Sequence, residues 1–410
     1  MLKLNKMAAA ATAVSMASGL MAYATAAAAV LPNRPDQYVV LAFDGSKRIQ
    51  MWEDSRKYAR DMTAKGKELK FTYFVNAAYY LAPGKPASRY NSPDPVNHGP
   101  GKSAIGFSSS LADVLSRLEH TKAALGEGNE IANHAAGHWD GTQWSSAAWD
   151  SEFKQFYDIL YNVFTFNDVP SDAIKATDAK NIFTGITGFR APQLGHNDAM
   201  FELLPKYLGK GGYDTSLTAP PTSWPTRNKQ GLWSFPLASI NIAGTSRKTL
   251  SMDYNFYYAQ SNAKDIPARK QEFEDQMFYS YVNYFFNNYN GNRAPVNIGH
   301  HFSPWNGGAY WAAEQRFAEL VCGMPEVHCV TYQELVQVMN QAESNSLIAA
   351  YAAGKYANGN TNVRRPAPGR GQVLPQIDSA ISDEQLMIAD PAEAHELDIP
   401  DKKTQELGPR

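Results

Sequence analysis

Two histidines four residues apart, His134 and His138 in EIANHAAGHWDG, are the first residues of the chain with metal chemistry in them. At i and i+4 two imidazoles reach one ion when the segment is helical, the logic of HExxH sites, where the intervening glutamate acts as base. Here Ala135, Ala136 and Gly137 intervene. A hydrolytic site therefore needs its base from elsewhere, and the plain alternative is a pair that only caps and packs. Acid–base and charged groups occur in three further stretches: Asp44 in LAFDGS, Arg190 in FRAPQLG, and the His300–His301 pair in APVNIGHHFSPW. Each stands at the C-terminal end of a predicted strand, as His134 does. In α/β folds that is where working residues gather.

The elements that must position them alternate. YVVLAF (38–43) and LKFTYFV (69–75) read as strands, and between them an amphipathic segment from Met51 to Met62 reads as a helix. An irregular region over 82–110, rich in Pro, Gly, Ser and Asn, precedes a helix at Leu111 to Leu125 and a short strand, NEIANH. Trp149, Phe153, Phe156, Leu160 and Val163 then recur at helical spacing, which predicts a helix with one core face. ITGFRAP, YDTSL, GLWSFPL, PVNIGHHF and HCVTY are further strand candidates, with helices around Tyr310 to Val321 and Gln333 to Met339. Such alternation predicts an α/β fold with a largely parallel sheet, most simply a barrel.

With 410 residues and 44% hydrophobic content the chain can bury a large core, and a formal charge of -2 leaves no basic excess for phosphates. Nucleic acid is thereby an unfavoured partner; no protein partner can be inferred. An aromatic content of 12% suits sugar-binding surfaces and barrel packing alike. Lys3 and Lys6, the alanine-rich run from Met7 to Tyr23 and small residues up to Ala29 read as a signal peptide over 1–29. Export to the periplasm or medium is expected, with no transmembrane segment after cleavage. In an oxidising compartment Cys322 and Cys329 are expected to pair across a helix-to-strand turn; in a reducing one they are buried thiols. One domain over 30–342 is expected, followed by a polar, proline-rich and acidic tail over 343–410 that reads as disordered. HGPGKS (98–103) lacks the glycine a phosphate loop needs where Val96 stands, no GxSxG nucleophile elbow occurs, and His98 and His120 read as surface residues.

LAFDGS (41–46), NHAAGH (133–138), FRAPQLG (189–195) and APVNIGHHFSPW (294–305), in that order, give a chain that resembles the polysaccharide deacetylases of the NodB-homology type, carbohydrate esterase family 4. It is most similar to the chitin-deacetylase-like branch, in which a histidine stands sixth after the proline of an AP dipeptide; counted so, that histidine is His301, with His300 beside it. The resemblance implies a distorted (β/α) barrel of about seven strands and an N-acetylglucosamine-containing polysaccharide as substrate, such as chitin or peptidoglycan. It implies that His134 and His138 ligate zinc or another divalent metal, that Asp44 is the general base, that Arg190 orients it, and that His301 is the general acid. Asp253, in LSMDYNF, is a candidate for the carboxylate that pairs with the arginine; Pro192, Trp305, Asp253 and the run Leu232 to Leu237 are candidates for the substrate wall. The family's second aspartate, a metal ligand, falls at Gly45. One carboxylate is then left for two roles. Asp44 completes the metal set while Asp140 or Asp198 deprotonates water, or Asp44 stays the base, or catalysis is impaired and a carbohydrate-binding barrel remains.

Overall fold

A computed structural model describes residues 31–369 and 371–388. Nine strands form the main sheet: β1 (Gln37–Asp44), β2 (Phe71–Val75), β3 (Glu130–Asn133), β4 (Gly188–Phe189), β5 (Tyr213–Asp214), β6 (Thr226–Arg227), β7 (Trp233–Ser234), β8 (Val296–His301) and β9 (Val327–Cys329). Their order is β8-β1-β2-β3-β4-β5-β7-β6, with β9 beside the first residues of β1. Every pairing is parallel except β7 with β6. The sheet curls into a half-barrel with eight strands along its path, in keeping with the expected distorted barrel of about seven.

The curl is completed by a small sheet of Thr218–Ala219, Leu237–Asn241 and Lys248–Leu250. Just beyond it the Gly299 amide of β8 donates to the Ser251 carbonyl at 2.9 Å, and Met252 bridges to Gly299. That junction carries Asp253 to the end of β8.

β1 reads QYVVLAFD because it is buried on both faces, so its apolar run is continuous rather than alternating. Val39, Leu41 and Phe43 face a helical layer that includes Trp52; Val40 and Ala42 face Phe74, Tyr213, Phe235 and Tyr332. Asp44 falls on the second face by the two-residue period. Helices Leu111–Gly126 and Ser146–Tyr161 start where Ser110 and Ser145 accept amide hydrogens from Asp113 and Ala148. Helix Lys270–Asn290 has no counterpart in the sequence reading. It is buried around much of its circumference, from Phe273 to Tyr289, so no single apolar stripe marks it.

Cys322 and Cys329 form a disulfide across the turn from helix Trp305–Val321 into β9, with Cα atoms 5.7 Å apart. Closing so short a loop is worth about 2–3 kcal/mol. A Cys322→Ala/Cys329→Ala variant is expected to lose about that much stability in denaturant unfolding; an unchanged midpoint would show that packing of Val321 and Val327 alone fixes the turn.

Helix Tyr332–Ser344 ends the barrel. Of the tail expected beyond it, residues 357–369 are mostly exposed, whereas Leu374, Ile381 and Leu386 are buried against the domain, and the Leu386 carbonyl accepts from Thr249 Oγ1 at 2.7 Å and Asn255 Nδ2 at 3.2 Å. Residues 389–410, and the segment read as a signal peptide, lie outside the described residues. Among the described residues no helix is long and apolar enough to cross a membrane.

Candidate active site

Parallel pairing brings the strand ends to one rim. Asp44 is in register with His301 on one side and Phe74 on the other, and Asn133, immediately before His134, is in register with Phe189, immediately before Arg190. Register alone thus assembles Asp44, His134, Arg190 and His301, and all are at most 3% exposed.

Arg190 is the hub. Its Nη1 donates to Asp44 Oδ1 at 2.7 Å, its Nε to Thr215 Oγ1 at 2.7 Å and its Nη2 to Tyr332 Oη at 3.1 Å, with Phe74 beneath the guanidinium at 4.4 Å. Burial alone would lower the arginine's pKa, but the Asp44 charge and its neighbours raise it. The result is a carboxylate fixed in direction by a permanent cation.

The carboxylate paired with Arg190 is therefore Asp44. Asp253, expected as the arginine's partner and as part of the substrate wall, belongs to His301 instead: Oδ1 lies 2.5 Å from His301 Nδ1 and Oδ2 accepts the His301 amide at 2.9 Å. The path from Ser251 along β8 delivers Asp253 to that side of the rim and away from the arginine. Burial raises the Asp253 pKa, but the charges of His301 and His300 and the bonds from His301 bring it below the ordinary value. With Nδ1–H donated to the carboxylate, Nε2 is the His301 nitrogen left to take up or give a proton.

His300 has a different surrounding. Its Nε2 is 3.1 Å from Tyr281 Oη and its Nδ1 3.3 Å from Glu314 Oε2, and burial first of all pushes its pKa down to about 4. It points into the layer between β8 and the helices, with Nδ1 also 3.8 Å from Asp253 Oδ2, whereas His301 Nδ1 is hydrogen-bonded to that aspartate.

His134 Nδ1 donates to the Arg190 carbonyl at 2.8 Å, which leaves Nε2 as the ring's lone-pair nitrogen. The segment is a turn rather than the helix of an HExxH site: Ala135 and His138 take φ of 61° and 60°, in the left-handed region. The turn brings the two rings to 4.9 Å between centroids at 72°. Imidazoles bound to one tetrahedral ion at about 2.0–2.1 Å hold their centroids roughly 5 Å apart, so the pair fits two positions of such an ion. Among the described residues no group of three His, Cys, Asp or Glu side chains is placed to hold a metal, Gly45 has no side chain, and Asp44 Oδ1 is on Arg190.

Pro192 is buried in a 3-10 turn after Arg190, followed by Gln193, which donates to the His138 carbonyl at 3.3 Å. Trp305 is stacked on Tyr257 at 4.9 Å and 5.5 Å from the His301 ring, a packed wall beside the imidazole. Leu232, Trp233, Phe235 and Leu237 are core residues. Asp140 accepts from the Thr142 amide and hydroxyl at 2.9 and 2.6 Å, and Asp198 lies exposed in the first turn of helix Asp198–Leu208. The sequence reading missed Thr215 and Tyr332, which share Arg190, and Glu152, a fully buried carboxylate behind the histidine turn. Glu152 had a visible signal: it lies on the stripe of Trp149, Phe153 and Phe156, where a charge needs a reason.

No protein-family model matches the chain, and no curated protein does. Among solved structures it is similar to a Mycobacterium smegmatis protein assigned as a polysaccharide deacetylase, at 12% identity over 82% of this chain and 100% of that one, with a TM-score of 0.43. It is also similar to a family 4 carbohydrate esterase from Streptomyces lividans in complex with acetate, at 13% identity, 71% and 90% coverage and a TM-score of 0.35. A third similar structure is a family 4 pseudoenzyme from Bacillus anthracis, at 8% identity, 75% and 68% coverage and a TM-score of 0.37. These low-identity likenesses are to carbohydrate esterase family 4, the family to which the residues around Asp44, His134, Arg190 and His301 bear their resemblance.

Proposed function

We propose that the protein is an exported hydrolase that removes acetyl groups from an N-acetylglucosamine-containing polysaccharide. The observation that supports this best is the register of Asp44 with His301: a carboxylate fixed by Arg190 and an imidazole fixed by Asp253 end adjacent strands, within reach of one bound acetamide. In the proposed reaction Asp44 takes a proton from water as its oxygen bonds to the acetyl carbon. The C–N bond then breaks, and His301 Nε2 delivers its proton to the departing amine. Arg190 stays charged throughout and holds the base in line. His134 and His138 would hold zinc or another divalent metal, which when bound would polarise the acetyl carbonyl and the attacking water.

Gly45 supports a second reading, a carbohydrate-binding barrel with impaired chemistry, because it brings no carboxylate to the imidazole pair and, among the described residues, no group of three His, Cys, Asp or Glu side chains is placed to hold a metal. The two separate in one experiment. Zinc is titrated calorimetrically into the chelator-stripped protein, beside His134→Ala and Asp44→Ala, and acetate release is followed from chitin oligosaccharides and peptidoglycan. The hydrolase reading expects one site per chain lost in His134→Ala and kept in Asp44→Ala, with acetate release lost in both. A site lost in both variants would move Asp44 into the ligand set. No site and no acetate would leave the binding barrel.

A further inference from the structure

The turn between the two histidines is wound around a carboxylate. Glu152, from helix Ser146–Tyr161, is fully buried; its Oε1 accepts the amides of Ala136 and Gly137 at 2.8 and 2.7 Å, and its Oε2 accepts the Tyr90 hydroxyl at 2.8 Å. Other backbone groups of the turn are partnered as well. The Ala135 amide donates to Asn133 Oδ1 at 2.7 Å, and the His134 carbonyl takes the Asn76 amide group. The carbonyls of Ala135, Ala136 and Gly137 accept from the amides of Ala77, Ala78 and Ala104 at 3.2, 3.0 and 2.9 Å. Two successive amides turned onto one anion form a nest, and a nest forces backbone conformations like those of Ala135 and His138. Tyr90 closes the arrangement from behind: a Cβ at Gly137 would run into its phenol ring, so the turn accepts only glycine there.

The geometry points to Glu152, with Tyr90 behind it, as the positioning residue of the His134–His138 pair: the carboxylate gathers the turn whose two ends are the imidazoles. This rests on the proposal that the pair holds a metal, and it adds a residue outside the four sequence motifs. Glu152 touches neither ring and no reacting atom. It acts by fixing where the rings stand, and removing it leaves two buried amides without an acceptor.

Three variants test it: Glu152→Leu, which empties the nest; Glu152→Gln, whose carbonyl can still accept both amides; and Tyr90→Phe, which removes only the hydroxyl. Each is titrated with zinc and loaded with cobalt(II), whose visible absorption reports ligand geometry independently of activity. Glu152→Leu is expected to bind zinc about 10–100-fold more weakly with an altered cobalt spectrum, and Glu152→Gln to stay within about threefold of the parent with its spectrum kept. Parent affinity in Glu152→Leu overturns the assignment. Should that variant not fold, Tyr90→Phe decides: weakened zinc binding supports the role, and parent affinity with the parent cobalt spectrum overturns it. If the parent takes up no metal, the metal proposal fails separately. Carbethoxylation of His134 and His138 then reads the turn directly, faster modification in the folded variant supporting the role and an unchanged rate overturning it.

Discussion

Asp253→Asn is expected to lower acetyl release by about 10²–10⁴-fold, the range for losing a positioned general acid, while the barrel stays folded. The amide can still accept the His301 backbone amide at the place of Oδ2, so β8 and the strap of Ser251–Met252 keep their junction. At the place of Oδ1 the negative charge is gone, and an amide NH₂ turned there would donate to Nδ1, hold His301 as the neutral Nε2–H tautomer and oppose the imidazolium needed to protonate the amine. His301→Ala should fall about as far, and the double variant little further, because the two act as one unit. Full additivity of the two losses would show independent roles. A linked effect appears in acid. Because the folded Asp253 sits below its ordinary pKa, its contribution to stability is present above the usual carboxylate pKa, about 4, and is lost as pH falls through the lower folded value. The parent should therefore lose more stability than Asp253→Asn as pH falls below about 4; parallel profiles in denaturant unfolding would contradict that origin.

The rim was legible in the sequence because its residues come from strand ends, and strand ends are where an apolar run stops. YVVLAF halts at Asp44, NEIAN at His134 and PVNIG at the histidine pair, so parallel register does the rest. What the sequence hides is which partner each rim residue takes. Asp253 reads as a mate for Arg190, and what gives it to His301 instead is Gly299 bonding to Ser251, a contact between residues 48 positions apart in the chain that no local pattern encodes. Glu152 was hidden by success of the opposite kind: a strong apolar stripe explained its helix, and one charge within it was absorbed. The docking of Leu386 was hidden by composition, since a few buried side chains in a polar, proline-rich run leave no period. His300 and His301 are adjacent in sequence and opposite in role because successive side chains of a strand face opposite ways, one toward Glu314 and the other toward Asp253.

The second large effect is on folding. Arg190→Met should cost about 3–5 kcal/mol, the range for removing one member of a buried ion pair, since Asp44 Oδ1, Thr215 Oγ1 and Tyr332 Oη, all on buried residues, lose their shared donor. For a domain of this length that is a fall in melting midpoint of about 5 °C or more. Arg190→Lys separates charge from shape. One ammonium on a flexible stem keeps the cation over Phe74 and can reach Asp44, but it cannot hold the hydroxyl groups of Thr215 and Tyr332 in a fixed fork. It is therefore expected to regain most of the lost stability and little of the acetyl release. Equal recovery of both would mean that Arg190 serves the site only as a charge. Recovery of neither would mean that the fork carries the rim itself, so that His134, whose Nδ1 is bonded to the arginine's own carbonyl, is displaced with it. Zinc affinity measured on the lysine variant distinguishes the last case, because a displaced His134 would weaken it and an undisturbed one would not.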